Sequence, residues 1–344
     1  MTAWNTFVRS KIFWPVMALV ALVAANTIKT TRFLNIRVQD GHLFGALIDI
    51  LRNSSPLLLV ALGMTLVIAT RGIDLSVGAV VAISGALACS FLASAPNPNS
   101  IGTVLVACGI ALALSLVLGV WNGFLVSVLG IQPIIATLVL MTAGRGIAML
   151  ITSGQITMIH STPFKTIGSG FWFGLPAAVL IAGAVFAVVA TVTRRTALGM
   201  LIESVGINPQ ASRLAGVQSR SIIWTVYAAA GVFAGVAGLM ISSNIMAADA
   251  NNAGLFIELD AILAVVIGGT SLAGGKFSLS GTLVGAFIIQ TLTLTVTILG
   301  IPPAVTPLFK AIVVIAVCLL QAPIVRSRLA VRRPARPVPV EVAA

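Results

Sequence analysis

Uncharged apolar runs of about 18 residues or more recur along this chain, and each is long enough to cross the hydrocarbon core of a bilayer as a helix. The runs are continuously apolar rather than alternating, so they suit helices and not the strands of a membrane barrel. Composition agrees: only 8% of the residues are charged, with a mean hydropathy of +1.11, where a soluble domain carries about 25% charged residues. The expected fold is all-α, a polytopic membrane protein of about ten transmembrane helices with a helix-bearing loop at one face.

The spans fall at roughly 12–29, 55–71, 75–94, 101–120, 133–152, 173–193, 221–243, 258–272, 279–299 and 304–322. This divides the chain into a short N-terminal segment (1–11), a membrane domain (12–322) and an Arg-, Pro- and Val-rich tail (323–344) expected to be disordered or lipid-facing. The run from Trp14 to Ile28 has the character of a signal sequence, but no small-residue cleavage motif closes it and further spans follow, so it is expected to remain as a span. An even number of spans puts both termini on one side. With the N-terminus inside, thirteen of the 20 basic residues fall in inner segments, including Arg194, Arg195, Arg213, Arg220 and Lys276. Five fall outside (Lys29, Arg32, Arg37, Arg52 and Lys165), and Arg145 and Lys310 lie within spans. Positive charge favours the cytoplasm, so the inner face is cytoplasmic. The outer cluster within 29–52 is an exception, consistent with a segment lying along the outer surface. The net charge of +12 is thereby a topology signal, with no aromatic interleaving that would suggest nucleic acid.

The largest polar interruption is residues 194–220, RRTALGMLIESVGINPQASRLAGVQSR, which belongs in water or against a partner. Its ending reads as a helix of about two turns at 208–215. Asn208 is the expected N-cap, Pro209 fits the first helical position, and Gly216 fits the left-handed closing residue. So short a helix is marginal alone and is expected to pack on something.

Gly231, Gly235 and Gly238, and again Gly281 and Gly285, sit at intervals that let helices approach closely, either within one subunit or between two. Two Gly-rich breaks, RGIDLSVG (71–78) and GGTSLAGGKFSLSG (268–281), interrupt apolar runs in the two halves. Such paired interruptions point to a transport pathway and hint at an internal duplication.

Asp74 opens a span and is read first as an N-cap, second as a proton carrier. Glu258 and Asp260 open another, where the helix dipole favours acids and where they could line the outer mouth of a pathway. Arg145 lies within a span, and a buried arginine needs carbonyl or carboxylate partners or a substrate. Lys310 is expected to snorkel. Asn122, Asn251 and Asn252 join Asp74, Arg145, Glu258 and Asp260 as candidate pathway or structural residues. Cys89, Cys108 and Cys318 lie in apolar runs without metal-ligand spacing, and His42 and His160 are too far apart to suggest a metal site. No Ser/His/Asp order or H-E-x-x-H supports catalysis. The stretch Gly269 to Lys276 resembles a phosphate loop but is one residue too long and is followed by Phe277 instead of Ser or Thr, so no ATP site is expected in this chain.

Three stretches together, GMTLVIATRGIDLSVGAVVAI, ALGMLIESVGINPQASRLAGV and ELDAILAVVIGGTSLAGG, resemble the permease subunits of bacterial sugar ABC importers of the ribose, galactoside and xylose group. QDGHLFGALIDIL, MLITSGQI and ADANNAGLFIELDAI narrow the likeness to the galactofuranose importers. The resemblance covers about residues 13–322 and implies a transport subunit of the inner membrane rather than an enzyme. It implies a periplasmic sugar-binding protein, a second permease subunit, identical or paralogous, and cytoplasmic subunits that bind ATP and Mg. Residues 208–215 would be the coupling helix gripped by those ATPases. Gly206, Asn208 and Gly216 match the family pattern, and Glu203, Pro209, Ala211 and Arg213 complete the coupling surface. Arg71 departs from the family's small residue before GIDLSVG. An ion-coupled transporter using Asp74, Glu258 or Asp260 is the alternative, and a scaffolding membrane protein is a third.

Overall fold

A computed structural model describes residues 12–30, 33–39 and 41–321. The N-terminal segment, Arg32 and the tail from Arg326 lie outside the described residues. The helices are α1 (Phe13–Lys29), α2 (Ala46–Ala69), α3 (Val77–Ser94), α4 (Ile101–Ser127), α5 (Pro133–Ile151), α6 (Thr162–Gly168) and α7 (Ala177–Arg195). They continue with α8 (Ala197–Ile207), α9 (Pro209–Leu214), α10 (Ser219–Ile245), α11 (Ile257–Ile267), α12 (Leu279–Ile298) and α13 (Thr306–Gln321). Seven of the described helices, α2–α5, α7, α10 and α12, are long and apolar enough to cross a membrane. The other three expected spans are shorter helices, α1, α11 and α13, of 17, 11 and 16 residues. Three two-stranded ribbons complete the fold: β1 (Arg37–Gln39) with β2 (His42–Phe44), β3 (Thr157–Met158) with β6 (Ala247–Ala248), and β4 (Phe171–Trp172) with β5 (Leu175–Pro176).

The bundle is organised around α2. Its sequence is apolar on every side from Leu57 to Ala69, and a helix of that kind belongs in a core. It packs against α7, α10, α11 and α12, and 78% of its apolar window is buried, against 22% for α4 and for α7. That difference marks α4 and α7 as perimeter helices turned to lipid. Helix α2 begins nine residues before the expected span. The charged and polar residues Asp49, Arg52 and Asn53 hid its first turns. The Ser54 and Ser55 hydroxyls donate to the carbonyls of Ile50 and Leu51, supporting the helix around a residue with no N–H. Helix α4 also runs seven residues past its expected end, carrying Asn122 inside it as a buried residue.

Small residues set the helix separations. A Cβ on Gly231 would lie 2.5 Å from the Ser115 carbonyl oxygen and 2.8 Å from Gly119 Cα, so α10 and α4 touch backbone to backbone. Gly285 packs in the same way against the Ala264 carbonyl of α11. Both glycine pairs therefore serve packing within one chain. Buried hydroxyls and amides tie helices together: Ser84 Oγ donates to the Gly235 carbonyl at 2.8 Å, Asn26 Nδ2 donates to Thr295 Oγ1 at 2.8 Å, and the Thr65 and Thr282 hydroxyls pair at 2.8 Å. Cys89 is buried and Cys108 half-buried.

Lys310 does not snorkel. Its Nζ donates to Asp260 Oδ2 at 2.6 Å, tying α13 to the first turn of α11. The charge is neutralised by a partner instead of being carried to water.

Replacing Gly231 by Leu is expected to cost about 1–3 kcal/mol through overpacking and to lower the melting temperature in detergent. An unchanged melting temperature would show that α4 and α10 are not locked together. Lys310→Met alone strands the Asp260 carboxylate, at a cost of about 1–3 kcal/mol. The double substitution with Asp260→Asn is expected to recover most of that loss in the same melting experiment.

Candidate functional site

Two regions draw together the candidate residues. The first is the α8–α9 corner. Asn208 caps α9 as the sequence predicts, its Oδ1 accepting from the N–H groups of Gln210 and Ala211, each at 3.0 Å. Pro209 opens the helix, and Gly216 closes it at φ 85°, a conformation that suits a residue without Cβ. The Val217 N–H returns to the Ser212 carbonyl at 2.9 Å. Ser212 faces inward, while Gln210, Ala211, Arg213 and Leu214 face outward, and Leu214 is 91% exposed. An apolar side chain held out on a polar, rigidly capped turn is a surface suited to a partner.

Helix α8, which the sequence reading did not separate from the loop, supports α9 from behind. Thr196 caps it by accepting from the Leu198 N–H at 3.2 Å. Gly206 sits against the Ala69 carbonyl and the Gly275 N–H, leaving no room for a side chain. Gly206 is thus a packing residue, and Glu203 lies apart from the exposed face of α9, in a cleft with Thr193, Arg194 and Phe277.

The second region is the segment 246–256 with α11. Helix α10 has 27 residues and α11 only 11, a length of about 16 Å. The difference is made up by irregular backbone that folds back along α3. A Cβ on Gly78, at the start of α3, would lie 2.6 Å from the Gly254 carbonyl oxygen, and the Glu258 carboxylate fills the rest of that space. Ser94, at the other end of α3, is about 24 Å away by helix length. The segment therefore penetrates deep into the bundle. Met246, Gly254 and Phe256 all take positive φ to make the bends.

Irregular backbone at that depth needs donors. Arg145, 12 residues into α5, donates from Nη1 to the Ala253 carbonyl at 2.6 Å and to the Ala250 carbonyl at 3.3 Å. This matches the carbonyl partners expected of an arginine within a span. Asp249 organises the turn by accepting from the N–H groups of Asn251 and Asn252 and from the Asn252 amide at 2.8 Å.

On the other side of the segment lies a cavity of about 270 Å³ with six polar side chains in its wall: Arg52, Asn53, Asn244, Asn252, Asp260 and Gln290. Asn252 and Asp260 line it, and Arg145, Asn251 and Glu258 belong to the segment's other faces. Glu258 and Asp260 do fall in the first turn of α11, as expected.

Asp74 and Asn122 do not join this region. Asp74 is also not the N-cap of α3, which starts three residues later at Val77. Its Oδ1 instead accepts from the N–H and hydroxyl of Ser76, at 2.9 and 2.6 Å, making a turn before the helix. Asn122 Nδ2 donates to Ser76 Oγ at 2.8 Å, so α4 is pinned to that turn. Of the residues that matter at the cavity, Arg52, Asn53, Asn244 and Gln290 come from three helices distant in sequence, which no local pattern would have joined. Among the described residues no group of three or more His, Cys, Asp or Glu is placed to hold a metal ion.

Comparison with known proteins places the chain among transport permeases. The galactofuranose transporter permease protein YtfT of Escherichia coli (strain K12) is 45% identical over 323 residues, covering 92% of this chain and 93% of that protein. The fructose import permease protein FruF of Bifidobacterium longum (strain NCC 2705) is 45% identical over 329 residues, covering 93% and 91%. The ribose import permease protein RbsC of Escherichia coli (strain K12) is 37% identical over 308 residues, covering 88% and 91%. No solved structure matches. Residues 46–318 match the family described as branched-chain amino acid transport system / permease component, and the chain belongs to that family.

Proposed function

We propose that this chain is the membrane permease subunit of an ATP-driven importer that carries a monosaccharide, galactofuranose or a related sugar. The family description speaks of branched-chain amino acids, but three similar relatives are each named for a sugar. The six polar side chains in the mixed wall of the cavity beside residues 246–256 offer partners to a polyhydroxylated ligand. Side-chain amides both donate to and accept from hydroxyls, and an ionised carboxylate accepts from them.

The observation that carries the mechanism is α9, a pre-organised helix presenting Leu214 and Arg213 outward at the end of the bundle rich in basic residues. In this reading that end is cytoplasmic, as are both termini, and the membrane is the bacterial inner membrane. ATP-binding subunits dock on α9, bind ATP and Mg, and supply the energy. Two permease subunits enclose the pathway, and a periplasmic binding protein delivers the sugar to the opposite end. The exposed Asn251 and Asn252, with Asp249 beside them, favour an aqueous or protein-covered surface over lipid at that depth. The chain's own chemistry is positional: it holds a polar passage open and moves it, with no bond made or broken.

The test is uptake in proteoliposomes containing the chain co-purified with its ATP-binding partners. Transport is expected to require ATP and the binding protein, with galactofuranose, fructose and ribose compared as cargo. Uphill uptake by this polypeptide alone, driven by an ion gradient, would contradict the proposal. Within the complex, Gly216→Val forces a β-branched residue into left-handed backbone, at a cost of about 1–2 kcal/mol or more. It is expected to reduce ATP-driven uptake while leaving the chain folded, and uptake at the normal rate would remove α9 from the coupling role.

A further inference from the structure

We infer that Arg71 is a positioning residue that links the α8–α9 corner to the half-helix α11, so that movement of α9 reaches the segment 246–256. The inference rests on the importer reading above. Arg71 follows the end of α2 and takes a left-handed conformation, φ 65°, which aims its side chain back across the same end of the bundle. Its Nη2 donates to the Ile207 carbonyl at 2.5 Å, and its Nε donates to the Ala273 carbonyl at 3.1 Å. Ile207 is the last residue of α8 and immediately precedes the Asn208 cap of α9. Ala273 lies in the loop between α11 and α12. One guanidinium therefore holds two chain segments distant in sequence, which also touch where Gly206 meets the Gly275 N–H.

The surroundings leave no slack. The Gly275 N–H donates to the Ala69 carbonyl at 2.9 Å, and Gly206 is wedged against both groups. Gly274, at φ 83°, packs on the Arg71 Cγ, where a side chain would collide. Three segments thus converge: the end of α2, the end of α8, and the loop that starts from α11. From this junction α11 runs about 15 Å to Glu258, which packs on Gly78 beside the carbonyls held by Arg145. A displacement of α9 that pulls on the Ile207 carbonyl is passed through the guanidinium to Ala273 and along α11.

The partners of Arg71 are neutral carbonyls, so the contact is directional and not a charge pairing. The planar fork, with donors at fixed angles, suits simultaneous contact with two segments. The plainer reading is that Arg71 merely satisfies the last carbonyl of α8 and one loop carbonyl. The two readings separate on one quantity, the number of sugar molecules moved per ATP hydrolysed.

The experiment uses the assembled transporter in proteoliposomes with its binding protein. Arg71→Gly removes the fork and places at φ 65° the residue that tolerates it best, so the backbone is not strained. Arg71→Gln keeps a side-chain amide that can reach one carbonyl. Arg71→Gly is expected to assemble and hydrolyse ATP while moving roughly fivefold fewer sugars per ATP, or fewer still, as expected of a lost coupling interaction. Arg71→Gln is expected to fall between it and the unaltered chain, and it supplies the ratio if Arg71→Gly does not assemble. An unaltered ratio in an assembled variant, even with a lower melting temperature, overturns the inference and leaves Arg71 a structural residue. Absence of ATP-driven uptake in the unaltered transporter overturns the importer reading, and this inference with it.

Discussion

Backbone carbonyls released where helices stop inside an apolar bundle must find donors in the protein, because lipid offers none. Arg145 meets that requirement in this chain, and Arg71, exposed at one end, makes a second clamp on carbonyls. Arg145 holds the carbonyls of Ala250 and Ala253 deep in the bundle, and Arg71 holds those of Ile207 and Ala273 at one end. Between these clamps runs α11, a helix too short to cross a bilayer. The interruption creates the polar surface at membrane depth, and the clamps make it possible to keep an interrupted helix folded.

Close packing confines the interruption. Gly78, Gly268, Gly281 and Gly285 let α3 and α12 press on α11 and its flanking loops, with backbone where side chains would ordinarily stand. Protein interiors are close-packed, so such contacts move as units rather than deforming gradually. A half-helix with glycine contacts on two sides and an ion pair to α13 on a third behaves as one rigid piece. That rigidity connects the cavity wall at Asp260 to the corner beneath α9. Outside this core the perimeter helices α4, α5 and α7 keep long apolar faces exposed, which suits lipid or a neighbouring subunit.

Much of this was legible in the sequence, and the failures have physical causes. The apolar runs located every long helix, and the Asn208, Pro209 and Gly216 pattern located α9 because each residue has a local conformational role there. Helix α8 was hidden because its apolar residues and Gly206 pack against other segments instead of forming a run of membrane length. Asp74 was placed on the wrong helix position because Asx turns and N-caps use the same side-chain geometry a few residues apart. The expected span at 258–272 was too long because α11 already ends at Ile267, where Gly268 and Gly269 open the Gly-rich break. The fold-back of residues 246–256 had no sequence signature beyond a polar, Asn-rich connection. Arg71 showed in the sequence only as a departure from the family's small residue, and its link to Ile207 and Ala273 needs the folded chain. The two Gly-rich breaks, about 200 residues apart in sequence, meet through the Arg71 to Ala273 hydrogen bond, which spacing alone does not predict.

The central claim, that α9 is a cytoplasmic surface covered by an ATP-binding partner, is tested most directly by chemical accessibility of Leu214. A Leu214→Cys variant lacking the native cysteines would be treated with a membrane-impermeant thiol reagent in vesicles of known orientation, before and after the partner subunits assemble. The account predicts modification from the cytoplasmic side in the isolated chain and protection in the assembled transporter. Modification from the outer side, or reactivity that assembly leaves unchanged, would contradict it.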